Sequence, residues 1–126
     1  MGENVKNVLV VDDSSVTITL AKKILQAQQF KIDGLKNGKE VMKKVEKNDY
    51  DLILLDINLP GKDGMTIAKE IRALKDQKKA KLPIIAISGN YKNFSPDDFD
   101  KVGINEFLMK PLDFDALVEK VKDYTS

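Results

Sequence analysis

The 126-residue sequence predicts one α/β domain over residues 1–126, built on a doubly wound parallel sheet of five strands. Three observations lead to this prediction. Short apolar runs alternate along the chain with helical patterns. The length suits one domain and is too short for two. A content of 42% hydrophobic and 33% charged residues is typical of a soluble globular protein.

Five segments are predicted to be strands because each is short and either largely apolar or alternating. They are residues 8–11, 30–33, 52–55, 84–87 and 106–109. The first, third and fourth are apolar throughout, as expected of strands that helices cover on both faces of a parallel sheet. The second alternates apolar and polar residues, which indicates a strand with one side less buried.

A helix is predicted after each strand, because apolar residues recur there at helical spacing. The first spans about residues 15–28 with Leu20, Ala21, Ile24 and Leu25 on one face, the second carries Val41, Met42 and Val45, the third Met65, Ala68, Ile71 and Leu74, and the last Phe114, Leu117, Val118 and Val121. The fourth begins near Ser95, a suitable cap, with Pro96 at the first helical position. Gly34 and the Asn37-Gly38 pair are predicted to mark turns beside the second helix.

Charge and residue types exclude several classes of function. Lysine plus arginine number 21 and aspartate plus glutamate 20, a net charge of +1, whereas a dedicated nucleic-acid binder carries a clear basic excess. The chain has no cysteine, which excludes thiol chemistry and a disulfide-built secreted domain. It also has no histidine, so it supplies neither a histidine base nor a phosphohistidine of its own.

The sequence shows no targeting or membrane-spanning segment. Uninterrupted apolar runs such as residues 8–11 are far shorter than the roughly 18 residues that cross a bilayer, and the first residues lack a signal-peptide pattern. We therefore expect a cytoplasmic protein that contacts neither membrane nor nucleic acid. The lysine run between residues 75 and 81 is interpreted as a solvated loop, because Asp76 interrupts it and no aromatic residue is interleaved.

Side chains capable of chemistry stand where four predicted strands end. Asp12 and Asp13 follow the first strand, Asp56 the third, Ser88 the fourth and Lys110 the fifth. Ligands of doubly wound sheets bind beyond the carboxyl ends of the strands. Each residue alone has an ordinary explanation as a helix cap, a turn former or a solvated charge. Four independent strand ends with these residue types together indicate a site.

The charges at this edge predict a metal. Two carboxylates about 4 Å apart repel each other by about 4 kcal/mol at an effective dielectric constant near 20, so three of them predict a bound divalent cation. Oxygen ligands with spare water positions favour Mg²⁺. Lys110 and the Ser88 hydroxyl would then contact other oxygens of a bound phosphoryl group. Asp56 keeps a carboxylate oxygen free to attack phosphorus and form an aspartyl phosphate, a transfer that depends on positioning and charge neutralisation.

In combination these motifs closely resemble those of response-regulator receiver domains of the chemotaxis-regulator type. The resemblance extends over residues 5–124 and rests on Val8-Leu9-Val10-Val11-Asp12-Asp13, Leu55-Asp56-Ile57-Asn58-Leu59-Pro60-Gly61-Lys62-Asp63-Gly64, Ala86-Ile87-Ser88-Gly89 and Phe107-Leu108-Met109-Lys110-Pro111. It implies a flavodoxin-like (βα)5 fold with the strand order 2-1-3-4-5 that is known for this family.

The resemblance also implies roles for the acidic residues. Asp56 would be the phosphoacceptor. Asp13 and Asp56 would bind Mg²⁺ directly, Asp12 would act largely through water, and Asn58 would contribute its backbone carbonyl. Asn58 and Asn90 flank the site at positions that vary among family members.

A conformational switch is implied as well. Ser88 and Lys110 would bind the phosphoryl group, a cis peptide before Pro111 would aim Lys110 inward, and Phe107 would repack. Ser88 stands where threonine is frequent, so it keeps the hydroxyl but loses the methyl group that restricts the rotamer. Phe107 stands where tyrosine is frequent, and it must repack without a phenol that hydrogen-bonds. Gly89 is small and should leave the phosphoryl group accessible to a partner.

The implied phosphoryl donor is a sensor histidine kinase or a histidine phosphotransfer protein, because this chain has no histidine. A downstream protein target is expected on the surface of the fourth predicted helix, the fifth strand and the closing helix. The loop at residues 92–98 and the surface near Val102, Ile104 and Phe107 are expected to move and to meet the partner, and Phe94 is expected to cover the core. We expect a signalling module that assists its own phosphorylation and dephosphorylation and is not a turnover enzyme.

Three other functions agree with parts of the sequence. A Mg²⁺-dependent phosphohydrolase on a similar fold would place its nucleophile after strand one with a second acid two residues further on, whereas Asp12 and Asp13 are adjacent. A flavodoxin-like binder of flavin phosphate would need neutral hydroxyl and N–H groups there, since two carboxylates repel phosphate. A receiver used only for docking would not need the complete set of site residues.

Overall fold

The structure, a computed structural model, describes residues 5–89 and 95–126. Its elements in chain order are β1 (Asn7–Val11), α1 (Ser15–Ala27), β2 (Lys31–Leu35), α2 (Val41–Lys47), β3 (Leu52–Asp56), α3 (Gly64–Arg72), α4 (Gln77–Ala80), β4 (Ile84–Ser88), α5 (Pro96–Lys101), β5 (Glu106–Met109) and α6 (Phe114–Thr125). Asn90, Phe94 and the first part of the loop at residues 92–98 lie outside the described residues.

The five strands form one parallel sheet in the order β2-β1-β3-β4-β5, which confirms the predicted fold class and strand order. The chain runs from β1 to one edge of the sheet, crosses to β3 and continues to the other edge. The winding direction therefore reverses between β1 and β3. Val11 lies opposite Leu55 in the register, so Asp12 and Asp56 emerge side by side at this reversal.

Helices cover both faces of the sheet, as the apolar strands require. On one face, α2, α3 and α5 contribute Val41, Ile67 and Phe99 to a core that includes alternate strand residues such as Leu9. On the other face, α1 and α6 pack against the remaining strand residues in a second core. No helix within the described ranges is both long and apolar enough to cross a membrane.

Short polar side chains fix where the main helices begin. Ser14 caps α1 by accepting a hydrogen bond from the N–H of Thr17. Asp63 caps α3 and Asp113 caps α6 in the same way. The predicted start of the fourth helix at Ser95 is also confirmed, because its hydroxyl completes a capping box.

Two details of the predicted elements are wrong. Gly34 was predicted to mark a turn, but it lies inside β2, where a Cβ atom would come within 2.8 Å of the Ile18 side chain. The small residue thus allows α1 to pack closely against this edge strand. Leu74 was placed on the third helix, but α3 ends at Arg72, and Leu74 packs against the core from the turn that follows.

The lysine run between residues 75 and 81 is not simply a solvated loop, because it contains the short helix α4. Asp76 caps this helix through the N–H groups of its first residues. The Lys79 ammonium donates to the carbonyl oxygens of Val45, Glu46 and Asn48 at 2.8, 2.8 and 3.1 Å. It therefore satisfies carbonyl groups at the carboxyl end of α2, which have no partner within that helix.

Arg72 joins three segments at the amino-terminal side of β4 and β5. Its guanidinium donates to the carbonyl oxygens of Ala80 and Leu82 at 2.8 and 2.7 Å, and to that of Gly103 at 2.6 Å. It also donates to the side chain of Asn105 at 3.0 Å. Gly103 has a φ of +82°, and a Cβ atom there would lie 2.6 Å from the arginine Nε, so both backbone shape and space favour glycine.

Candidate functional site

The carboxyl ends of β1 and β3 bring three aspartates together. Asp12 follows β1 and is fully buried, Asp56 ends β3 and is buried, and Asp13 is exposed. One carboxylate oxygen from each residue lies within 4.8 Å of the other two. The parallel register of β1 and β3 produces this arrangement, since both strands end at the same level.

Lys110 lies between the two buried carboxylates. Its Nζ is 2.8 Å from Asp12 Oδ2 and 3.3 Å from Asp56 Oδ2. The residue directly follows β5, and its backbone N–H donates to the carbonyl oxygen of Ser88 at the end of β4. The Lys110–Pro111 peptide bond is cis, as the family resemblance implied.

Burial and neighbouring charges both shift the pKa values of Asp56 and Lys110. Burial raises the pKa of the Asp56 carboxyl, and repulsion by Asp12 adds to this, whereas the N–H of Asn58 and the ammonium of Lys110 oppose it only in part. Partial burial lowers the pKa of Lys110, but the two carboxylates outweigh burial, and the net effect is a raised pKa. One ammonium therefore contacts two acidic side chains, and its single positive charge does not balance both when they are ionised.

The carboxylate oxygens fit a divalent cation. Asp12 Oδ1 accepts a hydrogen bond from the backbone N–H of Ser14 at 2.8 Å. Asp12 Oδ2 is buried, and its contact with the Lys110 ammonium at 2.8 Å compensates its charge. With an oxygen of Asp13 and one of Asp56 close by, these residues form the oxygen-rich, partly solvated site that Mg²⁺ prefers.

Asn58 connects the end of β3 to the end of β4. Its backbone N–H donates to Asp56 Oδ1 at 3.0 Å, and its side-chain Nδ2 donates to Ser88 Oγ at 3.0 Å. The sequence implied only a metal-binding carbonyl for Asn58 and did not reveal the contact with Ser88. Aspartate side chains often accept from the N–H two residues further on, but no local pattern indicates a bond between residues 30 positions apart.

Phe107 lies apart from the carboxylates, on the side of the sheet that α5 covers. Its ring is half-buried and stacks on Phe99 with centroids 4.8 Å apart and planes 18° from parallel. A cavity of about 470 Å³ opens next to this pair, with Pro96, Ile104 and Met109 among its lining residues. Met109 is 48% exposed, which leaves an apolar surface between α5 and β5.

A second cleft, of about 670 Å³, opens beside Asp13. Asn58, Pro60, Met65 and Lys69 are among the residues that line it. Gly89, which follows β4, is exposed, so no side chain covers the site from this position. The acidic cluster is therefore open to a partner or a small molecule from the side of Asp13.

Comparison with known proteins gives a consistent family. Residues 8–122 match the family model described as the response regulator receiver domain. The chain is 34% identical over 118 residues to hybrid signal transduction histidine kinase M of Dictyostelium discoideum, covering 91% of this chain and 5% of that protein. It is 32% identical over 116 residues to the CAI-1 autoinducer sensor kinase/phosphatase CqsS of Vibrio cholerae, covering 92% of this chain and 17% of that protein. The chain thus spans a small part of these relatives.

A solved structure shares the whole architecture. The receiver domain of sensor histidine kinase PA1611 from Pseudomonas aeruginosa superposes with a TM-score of 0.85 at 26% identity, covering 96% of this chain and 98% of that one. That receiver domain has a magnesium ion coordinated in its active-site cleft. Because the family match extends over nearly all of the sheet and its helices, this chain belongs to the response regulator receiver domain family.

Proposed function

We propose that Asp56 accepts a phosphoryl group from a phosphohistidine on a histidine kinase or a histidine phosphotransfer protein. A carboxylate oxygen of Asp56 bonds to phosphorus while the P–N bond to the donor imidazole breaks, and the imidazole leaves with the electron pair of that bond. The observation that carries the proposal is the environment of Asp56. The N–H of Asn58 binds Oδ1 and the ammonium of Lys110 contacts Oδ2, so the buried carboxylate has a fixed orientation.

The carboxylates of Asp13 and Asp56 and the backbone carbonyl of Asn58 are proposed to hold Mg²⁺, with Asp12 acting largely through water. The short separation of the three carboxylates supports this assignment, as does the burial of Asp12 and Asp56, whose two carboxylates share the single ammonium of Lys110. Bound there, Mg²⁺ supplies the positive charge that offsets the incoming phosphoryl oxygens.

Lys110 and Ser88 are proposed to bind the transferred group. Lys110 already contacts a carboxylate oxygen of Asp56, and a phosphoryl group on Asp56 would offer it a more strongly charged partner. Ser88 is buried at the end of β4, adjacent to Lys110 through their backbone hydrogen bond, and its hydroxyl can donate to another phosphoryl oxygen.

Phosphorylation is proposed to act as a binding switch. Movement of Ser88 and Lys110 would change the packing of Phe107, which here stacks on Phe99. This would alter the surface formed by α5, β5 and α6, where the 470 Å³ cavity offers apolar contacts to a downstream protein. The domain would assist its own phosphorylation and dephosphorylation, and turnover of a free substrate is not its role. The single domain over residues 1–126 and the cytoplasmic location remain predictions.

Family membership favours this function over the phosphohydrolase and the flavin-phosphate binder. The adjacent Asp12 and Asp13 also argue against both alternatives. A phosphohydrolase of this kind would have its second acid two residues after the nucleophile, and two carboxylates would repel a flavin phosphate. A receiver that only docks would not take up a phosphoryl group, so phosphorylation is the property to test.

Intact-mass measurement after incubation with Mg²⁺ and a small acyl phosphate tests the proposal. We expect one labile phosphoryl adduct on the wild-type chain and none on Asp56→Asn, because the amide of asparagine is not a nucleophile toward phosphorus. An adduct on Asp56→Asn would place the phosphoacceptor elsewhere. A wild-type chain without an adduct would favour the docking-only alternative.

A further inference from the structure

We infer that the turn before α2, at residues 37–39, positions the loop between β3 and α3, at residues 57–63, for metal binding. The β3–α3 loop carries the backbone carbonyl of Asn58, which is one of the proposed Mg²⁺ ligands. The inference therefore rests on the proposed metal site and deepens it. It makes Gly38 and Lys39 positioning residues, which act on the metal through the backbone of the loop.

Gly38 packs directly against the backbone of the β3–α3 loop. It is buried, and a Cβ atom at this position would overlap the carbonyl oxygen of Lys62 and lie 3.0 Å from the carbonyl carbon. On another side the Cβ atom would lie 2.9 Å from Ile67 Cδ1, in the core. Any residue larger than glycine would therefore push the Lys62 carbonyl away, because a backbone group cannot swing aside as the end of a long side chain can.

A second contact between the two segments runs in the opposite direction. A Cβ atom on Gly61 would lie 3.1 Å from Lys39 Cε and 3.3 Å from Lys39 Cγ. The aliphatic stem of Lys39 thus fills the space that a side chain on Gly61 would occupy. Each segment supplies a glycine over which the other segment packs, so the turn and the loop interlock.

The turn is anchored well enough to resist movement of the loop. Asn37 Oδ1 accepts a hydrogen bond from the N–H of Lys39 at 3.0 Å, a contact by which asparagine commonly fixes a turn. The carbonyl oxygen of Gly38 accepts from the N–H of Val41 at 3.4 Å, and Val41 is fully buried in the core. The turn is therefore tied to the core through the first residue of α2.

The two ends of the β3–α3 loop are also fixed. The N–H of Gly64 donates to the carbonyl oxygen of Ile57 at 3.0 Å, and the N–H of Ile57 donates to that of Ile87 on β4 at 3.0 Å. A displacement of Lys62 must then be taken up by the residues between these ends, and Asn58 is one of them. Loss of a group that orients a metal ligand typically weakens metal affinity by about ten- to hundred-fold.

Isothermal titration of the folded chain with MgCl₂ tests the inference. We expect Gly38→Ala to weaken Mg²⁺ binding about ten-fold. Gly103→Ala is the matched control, because its Cβ atom would also lie too close to a neighbour, 2.6 Å from Arg72 Nε, but at the opposite end of the sheet. The control should lose stability in chemical denaturation and keep the wild-type affinity for Mg²⁺.

A second pair of variants tests the interlock without introducing an overlap. Lys39→Ala and Lys39→Met both remove the ammonium, but only methionine retains most of the stem that covers Gly61. Lys39 is exposed, so both variants should fold, and the pair decides the matter if Gly38→Ala does not fold. We expect Lys39→Ala to bind Mg²⁺ about two-fold more weakly than Lys39→Met, since a few carbon contacts with the loop are lost.

Three results would overturn the inference. Folded Gly38→Ala could bind Mg²⁺ as tightly as the wild type, or Lys39→Ala and Lys39→Met could bind it equally. Gly103→Ala could lose as much affinity as Gly38→Ala, which would show that Mg²⁺ affinity follows overall stability and not the contact with the loop. A wild-type chain without saturable Mg²⁺ binding would instead overturn the proposed metal site, and the inference with it.

Discussion

Asp56 is a buried carboxylate in a place where its charge is costly. Burial and the neighbouring Asp12 raise its pKa, and the contacts from Asn58 and Lys110 offset this only in part. The ionised side chain therefore destabilises the fold, and the proposed binding of a cation would offset this cost. Such a conflict is common where function and stability impose different requirements on one residue.

Asp56→Asn should accordingly stabilise the metal-free protein by about 1 kcal/mol at neutral pH, the usual scale of a single stabilising substitution. Because the folded-state pKa of Asp56 is raised, the penalty is present above that pKa and disappears as the pH falls toward the ordinary value of 3.8. Urea denaturation in the presence of a metal chelator, at neutral pH and near pH 3.8, measures the difference in unfolding free energy between Asp56→Asn and the wild type.

The exposed Asp100 provides the control for this comparison, since Asp100→Asn lies outside the site and should not change stability in the same way. A gap between Asp56→Asn and wild type that stayed constant down to the ordinary aspartate pKa would contradict the assignment of the penalty to ionised Asp56.

The sequence predicted which residues the sheet brings together at the site, but not which hydrogen bonds their side chains form. The strand-end positions of Asp12, Asp56, Ser88 and Lys110 follow from the parallel sheet, where all carboxyl ends lie at one edge. The Asn58–Ser88 hydrogen bond depends on the rotamers of two side chains from different loops. No periodic pattern in the sequence records that contact.

Among the elements, α2 and α4 stabilise each other through Lys79. The Lys79 ammonium donates hydrogen bonds to three backbone carbonyl oxygens at the carboxyl end of α2, and the Lys79 side chain is only 18% exposed. The negative end of the helix dipole favours a cation there. A seven-residue helix is too short to be stable alone, so this contact from another segment contributes to its retention.

We predict that Lys79→Met lowers the free energy of unfolding by about 1–2 kcal/mol, because carbonyl groups at the end of α2 lose a charged donor. Lys78→Met is the matched control, because Lys78 is an exposed lysine next to Lys79 on α4. Chemical denaturation of the two variants side by side gives the difference. Equal losses in both would show that Lys79 does not stabilise α2 in this way.

The elements that the sequence predicted well are those with strong hydrophobic patterns. All five strands lie within one or two residues of their predicted limits. The helix α4 was missed because it has only four residues, and because it depends on Asp76 as a cap and on carbonyl groups more than 30 positions away. Local periodicity does not report such long-range contacts.

For the whole molecule, the acidic cluster predicts that stability depends on divalent cations. Mg²⁺ that binds only the folded chain should raise the free energy of unfolding in a saturable way, by about 2.7 kcal/mol at a concentration 100 times the dissociation constant. Asp13→Asn should remove most of this gain, and since Asp13 is exposed the variant should still fold. Thermal unfolding across a Mg²⁺ titration measures the effect.

Asp123→Asn serves as the control, because Asp123 is an exposed aspartate on α6 outside the cluster. It should retain the full response to Mg²⁺. If Asp13→Asn responded as strongly as this control, the cation would be binding elsewhere and the proposed metal ligands would be wrong.

The contacts of Arg72 have a further consequence for the molecule in motion. They tie the chain before β4 and the loop before β5 to α3, whereas Ser88 and Lys110 stand at the far ends of the same strands. The Arg72 contacts therefore hold the ends of β4 and β5 that lie opposite the proposed rearrangement at Ser88 and Lys110. If Arg72 holds the amino-terminal side of β5, the displacement would be smallest near Glu106 and largest near Met109. Met109 lines the apolar cavity between α5 and β5, so the wall of that cavity would move most.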